Sequence, residues 1–132
     1  MTETKSGSRV TEVGRVMIPV SDQDRALEFY TGTLGFEVRA DIPFGDGNRW
    51  IEVAPEGAPT AIALVQPREG EATGVETRVA LSSEDVDATH AELRERGVDV
   101  DPEVMRMGEP APPMFWFRDQ DGNRLLIVEP GS

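Results

Sequence analysis

Apolar and polar residues alternate with a period of two over residues 13–20. Val16, Ile18 and Val20 fall on one face and Arg15, Met17 and Pro19 on the other, the pattern of a half-buried β-strand. Pro19 has no N–H to give to a ladder, which predicts an edge strand or a strand ending there. The period then changes to 3.6. Ala26, Leu27, Phe29, Tyr30, Thr33 and Leu34 form one apolar stripe, which predicts an amphipathic helix. Ser21 before it, with Asp24 three residues on, reads as a capping box, and the acidic residues suit the positive end of the helix dipole. Gly35 is the expected stop. Phe36, Val38 and Ala40 then alternate with Glu37, Arg39 and Asp41, and Asp46-Gly47 marks a turn. In residues 49–54, Trp50 and Glu52 share one face and Ile51 and Val53 the other. Residues 55–59 read as a loop and 60–66 as a short apolar strand, so the first half is β-α-β-β-β.

Residues 67–74 (PREGEATG) are polar and rich in turn formers, and read as a linker. The order then repeats. Residues 77–81 predict a strand, and Ser82, Ser83, Glu84 and Asp85 a helix start. Val86, Thr89, His90 and Leu93 form a stripe stopped by Gly97. A strand from Val98 and a proline-rich loop over 108–113 follow. An aromatic strand over 114–118 and an Asp121-Gly122 turn into a last strand, 124–129, complete the half. The two halves overlay with helical spans that differ by one residue. One such unit leaves a sheet face uncovered, and a second unit from the same chain or a partner can cover it. The reading is one domain over 13–130, made of modules 13–66 and 75–130, behind a flexible tail over 1–12.

Composition narrows the function classes. The 132 residues carry 25 acids and 13 bases, for a net charge of −12, which disfavours nucleic acid and anionic membranes as partners. With no cysteine, disulfides and thiolate metal sites are excluded. No apolar run approaches the length of about 20 residues needed to span a bilayer, and the polar start is unlike a signal peptide. A cytoplasmic protein is expected.

Four segments taken together, VMIPVSDQDRALEFYTGTLGFEV, TAIALV, RVALSSEDVDATHAELRERGVDV and FWFRDQDGNRLLIVEP, resemble the vicinal-oxygen-chelate superfamily, which includes glyoxalases, bleomycin resistance proteins and extradiol dioxygenases. The resemblance spans about residues 13–130. It implies an α+β fold in which paired βαβββ modules form curved mixed sheets around a cavity. It also implies a homodimer with clefts shared between subunits. Members are either metal-dependent lyases, isomerases and dioxygenases or proteins that sequester antibiotics without chemistry.

In catalytic members the resemblance implies four metal-ligating positions, one on the first and one on the last strand of each module. Here these fall on Arg15, Ala63, Arg78 and Leu126. Arginine stays protonated without a free lone pair, and alanine and leucine have no donor atom, so neither metal nor other cofactor is expected. Glu52 and Glu76 share the strand parity of the cavity, and carboxylates alone suit only Mg²⁺ or Ca²⁺. Arg15 and Arg78 either bind a ligand carboxylate or phosphate, or pair with Glu76, Glu52 or a partner's acid, or reach solvent. Met17, Trp50, Glu52, Met114 and Trp116 complete the expected cavity wall, which suits a small apolar, aromatic or anionic ligand. The plain alternative for each is core or dimer packing. Strand parity allows either Phe115 with Phe117 or Met114 with Trp116 to face the cavity.

The remaining candidates read as structural. His90 sits in helix phase with Val86 and Leu93, Tyr30 lies on the core stripe, and Ser82 and Ser83 are caps. Asp119, Asp121 and Asn123 have calcium-loop spacing without the glutamate that should follow, so a hairpin turn is expected. Residues 108–113 are either a lid or a simple connection. The leading functional reading is a metal-independent small-molecule-binding protein. A lyase, isomerase or dioxygenase with an atypical site, and a dimer with no ligand, are the alternatives.

Overall fold

The period-two stretch becomes β1 (Arg15–Pro19). The stripe behind it becomes α1 (Gln23–Glu28), continued by a π-helical turn over Phe29–Thr33. Three strands follow: β2 (Glu37–Pro43), β3 (Arg49–Ala54) and β4 (Ala61–Val65). The second half repeats the order as β5 (Glu76–Ser82), α2 (Val86–Glu95), β6 (Asp99–Val100), β7 (Met114–Arg118) and β8 (Arg124–Val128). The structure is a computed structural model and describes residues 9–130. Residues 1–8, most of the expected tail, lie outside the described residues.

The fold is α+β, two βαβββ modules each carrying a four-stranded mixed sheet, ordered β1-β4-β3-β2 and β5-β8-β7-β6. The first strand of each module pairs parallel with the last, and the other pairs are antiparallel. β1 is an edge strand and also ends at Pro19, so both options left open by the missing N–H are met. No helix among the described residues is long and apolar enough to cross a membrane.

Both helix caps differ from the sequence reading. Asp22, not Ser21, accepts the Asp24 and Arg25 N–H groups, and Asp85, not Ser82 or Ser83, accepts that of Ala88. A carboxylate is the stronger acceptor for N–H groups at the positive helix end. Ser21 turns to the other module, where its N–H donates to Asp121 at 2.8 Å. The caps stand at equivalent places in the two modules, and Gly35 (φ 82°) and Gly97 (φ 84°) end both helices in the left-handed region. The first helical span is one residue longer because it contains the π turn, in which the Leu34 N–H reaches the Phe29 carbonyl at 3.0 Å. A π turn is how a helix absorbs a one-residue insertion without losing its phase.

Helix-facing residues of both modules form a single apolar cluster, from Ile18, Tyr30, Ile51 and Leu64 to Val86, Leu93, Phe115 and Phe117. The modules therefore pack through their helix-bearing sides. His90 is part of this packing. Its Nε2 lies 2.7 Å from the Asp101 carbonyl and its ring meets Phe115 edge-to-face at 4.8 Å.

A polar clasp crosses the junction. The Tyr30 hydroxyl donates to Asp119 Oδ2 at 2.8 Å. Fully buried Asn123 donates to the Pro19 carbonyl at 3.0 Å and accepts from Gly74 and Val75 N–H. Burial, and then the adjacent Asp119 carboxylate, push the Tyr30 hydroxyl well above its ordinary pKa. The Asp119–Asn123 stretch is a turn, with Asp119 accepting the Asp121 and Asn123 N–H groups.

Candidate functional site

One face of each sheet is spent on the common core. The opposite face of each points away from it, and the predicted site residues other than Arg78 lie on one of these two open faces, while Arg78 is exposed within the β5 bulge. On the first sheet, β1 and β4 set Arg15 beside Ala61 and Met17 beside Ala63. β3 sets Glu52 against Ala63, and β2 sets Ile42 against Trp50. This groups Arg15, Met17, Trp50, Glu52 and Ala63. On the second sheet, Leu126 lies between Ala80 and Trp116, and Met114 is opposite Val128. Parity resolves as one of the two options: Phe115 and Phe117 are buried in the core, and Met114 and Trp116 are on the open side.

The equivalent positions of the modules match. Arg15 lies two residues before the partner of Ala63, and Arg78 two residues before the partner of Leu126. Within one chain, however, the Arg15 set and the Arg78 set occupy different sheets, and none of the three main cavities is lined by both.

The first open face is apolar, with Met17 63%, Phe44 60% and Ile42 55% exposed. Phe44 meets Trp50 edge-to-face at 6.5 Å, and the two rings line a cavity of about 550 Å³ completed by Asn48 and the linker residues Pro67 and Arg68. Sequence reading missed this contribution of the linker. Arg49 also borders the cavity, but Asp41 and Asp24 take its charge, and its guanidinium holds the Asp41 carboxyl below the usual range. Glu52 Oε2 accepts from Arg15 Nε and Trp50 Nε1, both at 2.7 Å, so Arg15 is paired.

On the second face the Arg124 guanidinium stacks over Trp116 at 4.7 Å. It lies 3.5 Å from Glu76, a contact that depends on the β5–β8 register and was not read from sequence. Residues 109–113 and Ser82–Glu84 border a further cavity of about 750 Å³ at the end of this sheet.

A divalent metal at the four equivalent wall positions does not fit these residues. They present guanidinium, methyl, guanidinium and isobutyl groups, and the nearby Glu52 carboxylate is held by a cation and an indole. Among the described residues, no three His, Cys, Asp or Glu side chains gather into a possible metal site.

Comparison with known proteins places the chain. Residues 12–127 match the family model of the Glyoxalase/Bleomycin resistance protein/Dioxygenase superfamily. The uncharacterized protein YetH of Bacillus subtilis (strain 168) is 31% identical over 126 residues, 91% of this chain and 99% of that protein. TnmS3, described as an antibiotic binding protein from Streptomyces sp. CB03234, is 38% identical with a TM-score of 0.82, over 94% of this chain and 99% of its own. A superfamily member from Sphaerobacter thermophilus DSM 20745 is 36% identical with a TM-score of 0.84, over 91% of this chain and 98% of its own. The chain belongs to the glyoxalase/bleomycin resistance protein/dioxygenase superfamily.

Proposed function

We propose that this chain is a cytoplasmic, metal-independent small-molecule-binding protein that works as a homodimer. The observation that carries this reading is the chemistry of the four wall positions, where Arg15, Ala63, Arg78 and Leu126 offer no lone pair to a cation. The surrounding surface is that of a binding cleft. Trp50, Phe44, Met17, Met114 and Trp116 supply polarizable apolar area for a flat ligand, and polar groups on the same faces orient it. Similarity to an antibiotic binding protein supports the ligand-sequestering reading over the catalytic one.

The two outward faces support the dimer. Exposed apolar surface of this kind marks a binding or association site. Pairing two chains brings the first sheet of one against the second sheet of the other and encloses a cleft between them.

Metal analysis of protein purified without chelator, combined with a thermal-shift screen of aromatic antibiotics, tests the reading. Metal well below stoichiometric and a melting temperature that rises with ligand occupancy are expected. Stoichiometric Ni, Zn, Fe or Mn with turnover of a lyase or dioxygenase substrate overturns it. A sedimentation mass of a single chain removes the shared cleft.

A further inference from the structure

Arg78 is the only non-glycine among the described residues with a backbone in the left-handed region, at φ 63°. That region crowds the Cβ of any L-residue. At its other left-handed positions the chain uses glycine, including Gly74 and Gly122 at the adjoining turn. The strain is built in locally. β5 pairs Glu76 with Arg124 and Ala80 with Leu126, so it spends two more residues than β8 over the same span and bulges between them. The Thr77 hydroxyl closes the bulge, donating to the Arg124 carbonyl at 2.7 Å and accepting the Val79 N–H at 3.1 Å. Arg78 stands inside that closed loop.

Its guanidinium makes no hydrogen bond or ion pair among the described residues. The arginines of the open faces do: Arg15 with Glu52, Arg118 with Asp101, and Arg124 with Glu76. In a chain with nearly twice as many acids as bases, a strained, unpaired arginine two residues before Ala80, the partner of Leu126, is the exception. Strain kept at a residue whose own side chain makes no internal hydrogen bond or ion pair points to a group held for something external.

We propose that Arg78 is the anion-recognising residue of the cleft, and that the ligand combines an apolar aromatic body with a carboxylate, sulfonate or phosphate. A guanidinium takes such a group through two parallel hydrogen bonds, and it offsets the repulsion that a chain of net charge −12 exerts on an anion. The proposal rests on the proposed binding cleft.

Two probes with the same rings separate the terms: 8-anilinonaphthalene-1-sulfonate, and N-phenyl-1-naphthylamine, which lacks the sulfonate. Binding is read as probe emission sensitised by Trp50 and Trp116, the two tryptophans. The intact protein should bind the sulfonate more tightly than the neutral probe. Arg78→Gln and Arg78→Gly should weaken the sulfonate about tenfold or more while leaving the neutral probe within about twofold, and Arg78→Lys should recover part of the loss. Arg78→Gly should also raise the melting temperature, since glycine adopts this φ freely, so a folding failure cannot mimic the result. Equal loss of both probes, or no loss of either, overturns the role of Arg78 while leaving the cleft in place. Failure of the intact protein to bind either probe overturns the cleft and this inference with it.

Discussion

Asn123→Ala measures how strongly the polar clasp joins the two modules. The fully buried Asn123 side chain makes four hydrogen bonds. It donates to the Pro19 carbonyl and Asp119 Oδ2, both at 3.0 Å, and accepts from the Gly74 and Val75 N–H groups at 2.8 and 2.9 Å. Alanine removes all four and strands their partners. Each bond is worth about 1 kcal/mol net, and a stranded buried partner costs more. Water reaches some of the freed groups, so the expected loss is about 3–5 kcal/mol, out of a total of about 5–15 kcal/mol for a domain. At roughly 3–5 °C per kcal/mol for this chain length, Tm falls by about 10–20 °C. Urea unfolding followed by tryptophan fluorescence should show a lower midpoint at unchanged slope. Asn123→Asp keeps both accepted bonds but turns an oxygen toward the Pro19 carbonyl and the Asp119 carboxylate, so the buried like charges should make it at least as destabilising as alanine at neutral pH. A loss below about 1 kcal/mol for alanine refutes the reasoning and leaves apolar contact, with the Tyr30–Asp119 and Ser21–Asp121 bonds, to hold the modules together.

Two further predictions concern charge. Tyr30 is the single tyrosine, and the folded state keeps a phenolic proton that the unfolded chain releases near pH 10. Its contribution to stability is therefore complete below about pH 10 and falls as pH rises above it, by up to about 1.4 kcal/mol per pH unit. Urea midpoints followed upward through that range should show this slope in the native chain and not in Tyr30→Phe, and equal slopes count against it. Glu52→Gln removes the partner of Arg15, whose side chain is 50% exposed, so stability should change by less than about 1 kcal/mol. The naphthalene sulfonate should bind a few-fold tighter because a second guanidinium is released, and unchanged affinity of both probes sinks this account of Arg15.

What was legible in the sequence is what depends on local pattern. The alternation around Ile18, the stripe through Tyr30, and Gly35 and Gly97 as stops follow from period and backbone freedom alone, and they carry the fold. Parity narrowed β7 to two options, but choosing Phe115 and Phe117 for the core needed the other module. The one-residue mismatch between the halves was visible as a number, and only the backbone shows that a π turn absorbs it. The caps were misread because Ser21 stands next to Asp22, and Ser83 only two residues before Asp85, and serine and aspartate are equally good caps by residue type. The site was less legible because its contacts are non-local. Arg15 meets Glu52 through the pairing of β1 and β3 with β4, and the Tyr30 hydroxyl finds Asp119 from the far end of the chain. Arg78 in a left-handed conformation runs against residue propensity, so no propensity argument could have found it.

The back-to-back packing changes what the two arginines can do together. Read as a single cavity, the wall positions put Arg15 and Arg78 side by side as a doubly charged anion site. In the folded chain they stand on separate sheets whose open faces diverge from one core, and Glu52 takes the charge of Arg15. In the proposed dimer, each cleft then sets a neutral Arg15–Glu52 wall from one chain against a wall from the other on which Asp101 and Glu76 balance Arg118 and Arg124. What remains unpaired is the single guanidinium of Arg78. Such a cleft should select a flat ligand with one negative charge over its dianionic analogue, because the second charge would meet no partner and would face the negative field of the whole protein. Comparing naphthalene probes with one and two sulfonates measures this directly, and tighter binding of the disulfonate would mean that Glu52 yields Arg15 to the ligand.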